Sequence, residues 1–468
     1  MRPAHLPHST SAAHRSADSP GFGRRSLLAG VAGAGAAALL GGAGTAAATT
    51  ARGVRDPGTL LVESFPDAET ERLRLATTYR GSDFIATGRY APAGTRITVR
   101  VKALDGVLPT LHVGTFDNHP DNADLMTPRA VTLAQGDTTF SDAYGGPIHL
   151  RLPGNGKRAQ VTFVQGAVRM PTFVLGGRDG TTEAQFQQQL DTFTDSLYVE
   201  LSSPHALVTV TRANFLPYRG EDHTQLMETF EKIIASHAAV AGLDGSSALH
   251  RRKAGPYQFS EVPKVPAGVG AYATHYYNAF PPAYFDRLLT VQGLITRGWG
   301  LYHELGHLHQ QFAYRPSGLT EVSVNIYSLA AQRVLGQPSN LLVPDATTGL
   351  TPFQSALPKL GTPGLAFATS FGAYEKLVSL RQLELAFGTG LWPKLHRLIR
   401  TENPQSDWAT QDALRWTNFA VYTCRVTGYD LTGFFVDRWA YPIDAEGLDA
   451  LAALHLPKPP VDPATLSD

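Results

Sequence analysis

The chain has 468 residues, 40 basic and 40 acidic side chains, 43% hydrophobic residues and a single cysteine. That balance leaves no electrostatic footprint for nucleic acid or an anionic membrane surface, and a lone thiol, Cys424, excludes an internal disulfide. The length predicts two or three domains with a large core.

Residues 1–48 read as a targeting segment rather than as structure. Arg24-Arg25-Ser26-Leu27-Leu28 opens a Gly/Ala-rich apolar run through Gly42, and Ala46-Ala47-Ala48 offers small residues to a signal peptidase. The pattern resembles a twin-arginine export signal and predicts a secreted protein. A transmembrane anchor fits less well, because the run is rich in Gly and Ala and ends in a cleavage-like site. No cysteine follows it to carry a lipid, and no later stretch is long and apolar enough to span a bilayer, so no stable membrane anchor is expected. Loss of Arg2, Arg15, Arg24, Arg25 and Asp18 leaves 36 basic against 39 acidic residues, a mildly acidic mature chain.

Residues 59–168 alternate apolar and polar side chains in short runs: Ile97-Thr98-Val99-Arg100-Val101-Lys102, Ile148-His149-Leu150-Arg151-Leu152 and Val161-Thr162-Phe163-Val164. Ala91-Pro92-Ala93-Gly94, Asn118-His119-Pro120, Gly145-Gly146-Pro147 and Gly154-Asn155-Gly156 supply turns between them. An antiparallel β-sandwich is predicted. All five tryptophans lie at Trp299 or later, so this domain lacks the side chain best suited to stacking on sugars. A packing and positioning role is expected of it rather than carbohydrate binding.

Residues 169–445 are expected to form a second, α+β domain, with 446–468 as a tail. A helix is predicted over 183–195, a strand over 206–211, and a long helix over 224–241 that starts at Thr224 as its cap. Leu226, Met227, Phe230, Ile233, Ile234 and Val240 give that helix an apolar inner side. Residues 267–284 are dense in Gly, Tyr and Pro. There His275, Tyr276, Tyr277 and Asn278 either line a cleft, with a hydrogen-bond donor or a stacking face, or pack as an ordinary aromatic loop.

The stretch 299–327 organises the domain. If it opens as a helix, the 3.6-residue period puts His303 and His307 of His303-Glu304-Leu305-Gly306-His307 on one face, where both imidazoles reach one metal ion. Leu301, Leu305, Leu308 and Phe312 form an apolar stripe on the other side. Zinc is the expected ion, and a catalytic zinc takes three protein ligands. Glu321 is the best third candidate, because Arg315-Pro316-Ser317-Gly318 reads as a turn that returns a second helix, 320–329, alongside the first. Asn325, one turn beyond Glu321, is placed to orient a ligand histidine. A third histidine ten residues after the first is missing, since Ala313 stands there. Residues 365–387, 391–400 and 408–424 have helical periodicity, so the C-terminal half is expected to be mainly helical, with Cys424 a core thiol.

The string His303-Glu-Leu-Gly-His-Leu-His-Gln310, followed by Glu321-Val-Ser-Val-Asn-Ile-Tyr-Ser328, resembles the M60-like (enhancin and mucinase) zinc metallopeptidases. Residues 87–94, Tyr144-Gly145-Gly146, Phe387-Gly388 and 428–439 look like further segments of that family, so the resemblance spans roughly 60–445. It implies a zincin-type catalytic domain behind a β-domain, with His303, His307 and Glu321 as zinc ligands and Glu304 as general base. It implies as substrates mucin-type O-glycoproteins, cut in the polypeptide beside a glycosylated Ser or Thr. Gln310, Trp299, Tyr302 and Tyr314 are near enough in sequence to flank the metal. A monomer is expected. Two other readings stay open: a secreted zinc peptidase indifferent to glycans, and a glycan-binding protein with a structural zinc, against which the intact Glu304 argues. An exported scaffold or adhesin would show repeats or low complexity, which are missing beyond the leader.

Overall fold

The computed structural model describes residues 58–119, 121–177, 180–404 and 411–468. The export segment and the start of the helix expected at 408 lie outside these residues.

Among the described residues, nine strands build the N-terminal domain: β1 (Thr59–Glu63), β2 (Ile85–Ala91), β3 (Arg96–Ala103), β4 (Thr110–Val113), β5 (Arg129–Thr132), β6 (Gly136–Ser141), β7 (Gly146–Arg151), β8 (Arg158–Gln165) and β9 (Val168–Arg169). They form two antiparallel sheets, ordered β1-β8-β3-β6 and β5-β4-β7-β2-β9, as the alternation predicts. Val62, Val99, Val101, Leu111, Val113, Ile148, Leu150 and Val161 fill the space between the sheets with at most 1% exposure. At the Gly145-Gly146-Pro147 turn the backbones touch: a Cβ on Gly146, at φ 141°, would lie 2.5 Å from the Gly114 Cα. Between β1 and β2 the chain forms α1 (Ala68–Leu75), capped by Asp67, and then runs along the second domain.

The second domain has one mixed sheet of six strands, β10 (Thr172–Val174), β11 (Tyr198–Ser202), β12 (Ala206–Thr211), β13 (Tyr257–Glu261), β14 (Tyr272–Ala273) and β15 (Tyr277–Phe280), ordered β10-β11-β12-β13-β15-β14. One face is apolar. Val199, Leu201, Val208, Val210, Phe259 and Phe280 pack on Phe230, Ile233 and Ile234 of a long helix. The register puts Glu200, Thr209, Gln258 and Ser260 on the other face, which the sandwich covers.

Helix boundaries differ from the sequence expectation where side chains offer better caps. The first helix of the domain, α2 (Glu183–Thr192), stops short of 195. The long helix α3 (His223–Val240) starts earlier, because the Asp222 carboxylate accepts from the Gln225 N–H, while Thr224 lies in the first turn with its N–H held by Glu183. The run 365–387 is not one helix. A short turn of helix, Phe367–Ser370, gives way at Phe371, which is buried against Trp439, and a new helix then begins at Ala373 with the Gly372 N–H held by Glu375 at 2.7 Å. The C-terminal half is mainly helical, as expected, and burial pushes its core thiol, Cys424, up to about 12.

Candidate metal centre

Helix α4 (Trp299–His307) buries Leu301 and Leu305 completely and ends at His307. The helix does not reach Phe312, since Leu308 and His309 N–H groups bond back to Leu305 and Gly306 and the chain extends at Gln311. Phe312 instead opens a short 3₁₀ turn, Phe312–Tyr314. The returning helix is also in two pieces, α5 (Thr320–Ser323) and α6 (Asn325–Val334), which meet at Val324. There α4 comes close. A Cβ on Gly306 would lie 2.7 Å from Val324 Cγ2 and 2.9 Å from its carbonyl oxygen, so only glycine lets the two segments approach this far.

This approach brings three donor atoms together. His303 Nε2 and His307 Nε2 are 3.2 Å apart, and Glu321 Oε2 stands 3.1 and 3.4 Å from them. The other ring nitrogens are tied down from behind: His303 Nδ1 donates to Asn325 Oδ1 at 2.9 Å, and His307 Nδ1 donates to Gln310 Oε1 at 2.7 Å. Both amides are oriented in turn, Asn325 Nδ2 by the Glu321 carbonyl and Gln310 Nε2 by the Thr320 carbonyl and Ser323 Oγ. Both Nε2 atoms therefore face one point.

Burial alone would push the His303 imidazole down, but the Glu321 hydrogen bond and the Glu304 and Glu321 charges outweigh it and lift it to about 9. Burial likewise opposes the charge on Glu321, yet the two imidazoles hold its carboxyl far below the usual range. Glu304, 8% exposed, is raised by burial against the pull of both imidazoles. It brings a carboxylate oxygen within 4.8 Å of the histidine nitrogens. Glu321 is the more open side chain, at 46% exposure.

The donors fit a metal. A tetrahedral zinc with bonds of about 2.0–2.1 Å sets its ligand atoms roughly 3.3 Å apart, close to the 3.1–3.4 Å found for His303, His307 and Glu321.

Other sequence candidates part company here. Trp299 lies one turn before His303, its ring 5.8 Å from Tyr374 of α7 (Ala373–Phe387). Tyr302 and Tyr314 are core residues, 1% exposed, with hydroxyls bonded to the Ile295 carbonyl and to His396. His275 is linked to the centre through Tyr79, whose ring packs on both His275 and His307. Tyr276 and Tyr277 turn to the sandwich, where Phe116 stacks on their rings at 5.9 and 4.5 Å and the Tyr277 hydroxyl donates to the Asp117 carboxylate. Asn278 is buried and donates to the Gln258 carbonyl.

Two neighbours were missed. Tyr79, from the stretch after α1, packs edge-on against His307 at 6.5 Å and against His275 at 5.3 Å. Arg315, 3% exposed, lies 6.0 Å from the Tyr79 ring; burial lowers its guanidinium, while Tyr79 and Glu321 support the charge. Arg315 sits in the predicted turn and carried a readable signal as a charge between two ligands. Tyr79 carried none, because it belongs to the other domain.

Residues 166–440 match the family described as peptidase M60, enhancin and enhancin-like, and residues 66–164 match the N-terminal domain of M60-like peptidases. Among solved structures the chain is similar to a functionally unknown conserved protein from Bacillus anthracis, at 25% identity and TM-score 0.76 over 88% of this chain and 81% of that one. It is also similar to the catalytic module of the metalloprotease ZmpA from Clostridium perfringens, at 19% identity and TM-score 0.72 over 89% and 82%. The M60 catalytic domain of ZmpC from Clostridium perfringens, solved with the sialyl T antigen, gives 18% and 0.70 over 87% and 82%. TRPM8 channel-associated factor 3 of Rattus norvegicus is 23% identical over 54% of this chain, which spans about a quarter (27%) of that protein's length.

The fold is that of the catalytic module above, a mixed α+β architecture, and one of its helices carries a His/Glu group able to hold a metal ion. The chain belongs to the peptidase M60, enhancin and enhancin-like family.

Proposed function

We propose that the chain is an exported zinc endopeptidase that cuts the polypeptide of mucin-type O-glycoproteins, with His303, His307 and Glu321 as ligands and Glu304 as general base. The observation that carries this reading is the convergence of His303 Nε2, His307 Nε2 and Glu321 Oε2 at 3.1–3.4 Å, with the Glu304 carboxylate alongside. When bound, zinc supplies a Lewis acid that polarises a carbonyl and acidifies water. Asn325 and Gln310 hold the two imidazoles in the tautomer that turns Nε2 inward. Glu304 takes the proton of the attacking water and passes it to the leaving amine, and burial, by raising its proton affinity, suits it to both steps. Glu321, chosen over Glu304 as ligand, is the carboxylate already in contact with both Nε2 atoms.

The glycan preference rests on the similarity to structures solved with sialyl T and Tn antigens and on Trp299, one helical turn before His303, with the Tyr374 ring 5.8 Å from it. Export rests on the leader sequence alone, and the protein is taken to act as a monomer. The test is digestion of an O-glycopeptide carrying one N-acetylgalactosamine and of its unglycosylated twin, read by mass spectrometry. Cleavage of the glycopeptide alone supports the full reading, and equal cleavage of both leaves a general peptidase. Glu304→Gln should keep one zinc per chain and lose about 10²–10⁴-fold in turnover; a mutant that turns over normally removes Glu304 as base.

A further inference from the structure

The N-terminal domain reaches the metal centre through residues 76–81. Thr77 bridges to Gln311, the Thr78 N–H donates to the Gln310 carbonyl at 3.0 Å, and the Phe312 N–H donates to the Ala76 carbonyl at 3.2 Å. Further along, Gly81 bridges to Tyr276 and the Tyr276 N–H donates to the Arg80 carbonyl at 2.7 Å. This stretch is therefore pinned on both sides of Tyr79, once to the metal-helix loop and once to the loop that carries His275.

His275 is held in one chemical state by that contact. The Arg80 N–H lies 3.1 Å from His275 Nδ1. A backbone N–H only donates, so Nδ1 is the acceptor and a neutral ring carries its proton on Nε2. The ring is neutral near pH 7, since burial and the Arg80 and Arg72 charges hold it down to about 4. The ring is half-buried, and Tyr79 is the neighbour it shares with His307, its ring centre 5.3 Å from that of His275 and 6.5 Å from that of His307. Beside it, Tyr276 sits at φ 83°, which a bulky residue adopts only under constraint, and its ring is clamped between Phe116 and Arg151 of the sandwich. Backbone strain thus fixes the position next to His275 from the sandwich side.

We propose that His275 donates a hydrogen bond from Nε2 to a backbone carbonyl of the bound peptide, and that Tyr79 and Arg80 of the N-terminal domain hold it in the tautomer and orientation this requires. The inference rests on the peptidase reading of the same site. The sandwich is then part of the active site, with Tyr79 and Arg80 as positioning residues.

The test uses the full chain loaded with zinc and carrying Glu304→Gln, so that the O-glycopeptide and its twin bind without turnover. By calorimetry, His275→Ala should weaken binding about tenfold, and His275→Gln, whose amide N–H replaces Nε2–H, should recover most of it. Tyr79→Ala should give a smaller loss, with zinc content unchanged in all three. Nitrogen NMR of the parent should show Nδ1 without a proton. Unchanged affinity in His275→Ala, equal weakness in Ala and Gln, or a protonated Nδ1 overturns the proposal. A zinc-loaded parent that binds neither peptide overturns the peptidase reading, and this inference falls with it.

Discussion

The two faces of the six-stranded sheet are covered by opposite means. Toward the helices the sheet presents Val199, Leu201, Val208, Val210, Phe259 and Phe280, a continuous apolar layer. Toward the sandwich it presents Glu200, Thr209, Gln258 and Ser260, with Tyr277, Ala279 and the neighbouring Val262 forming a small apolar patch against Phe84 and Phe116 of the N-terminal domain. Glu200 meets His149 of the sandwich at 2.6 Å, both fully buried, and the Thr209 hydroxyl donates to the same carboxylate oxygen. Phe84 stacks on His149 at 5.3 Å. Apolar burial is non-directional, whereas a buried carboxylate accepts few geometries. The helix side therefore supplies stability, and the sandwich side fixes how the N-terminal domain sits, and so where Tyr79 and Arg80 fall.

Acid should have the largest effect and should reach both faces, since burial also holds His112 of the sandwich down to about 4. On the helix side burial holds His237 down to about 4 and His309 and His396 down to about 3, each bonded to backbone or tyrosine groups. Their folded values lie below the ordinary 6.5, so between pH 6.5 and about 4 the unfolded chain binds more protons. This stability is complete above pH 6.5 and is lost as pH falls, at about 1.4 kcal/mol per pH unit for each imidazole. Urea unfolding between pH 7 and 4.5 measures it, and His396→Gln should flatten the slope. An unchanged slope would mean that His396 titrates normally.

Phe259→Ala comes next, with an expected loss of about 3–5 kcal/mol from the helix-side layer, read as a fall in the urea midpoint. His149→Ala should cost less, about 2–3 kcal/mol, because it leaves the Glu200 carboxylate buried without its partner. Its activity should fall by more than its stability loss explains, since the sandwich is then less firmly placed. The smallest effect on stability is expected from His149→Leu with Glu200→Leu, within about 1 kcal/mol of the parent, as apolar pairs often replace buried polar ones without loss. If that double variant also keeps full turnover, the polar junction does not position the site.

Much of the site was legible because its chemistry is local. Two histidines one helical turn apart, a turn at 315–318 and a carboxylate just beyond it are short-range features, and the side chains so nominated meet at one point. Asn325 was legible for the same reason, whereas Gln310 was expected only to flank the metal and is found holding His307 Nδ1. The loop 275–278 was not. Its four polar residues are equivalent in sequence, and only their partners separate them: Arg80 for His275, Phe116 for Tyr276 and Tyr277, Gln258 for Asn278. Helix edges were misread where a cap one or two residues away competed better, as Asp222 did.

By itself the sequence determined the alternating strands of the sandwich, the mainly helical C-terminal half, and the meeting of His303, His307, Glu321 and Asn325, since each follows from a period or spacing within about thirty residues. Only the tertiary structure decided that Gly306 lets α4 touch Val324, that the sandwich covers a polar sheet face, and that Tyr79 and Arg80 stand beside His275 and His307. Apart from Gly306 and Val324, these contacts join residues far apart in the chain, and no local propensity encodes which backbone will supply a donor or leave room for one.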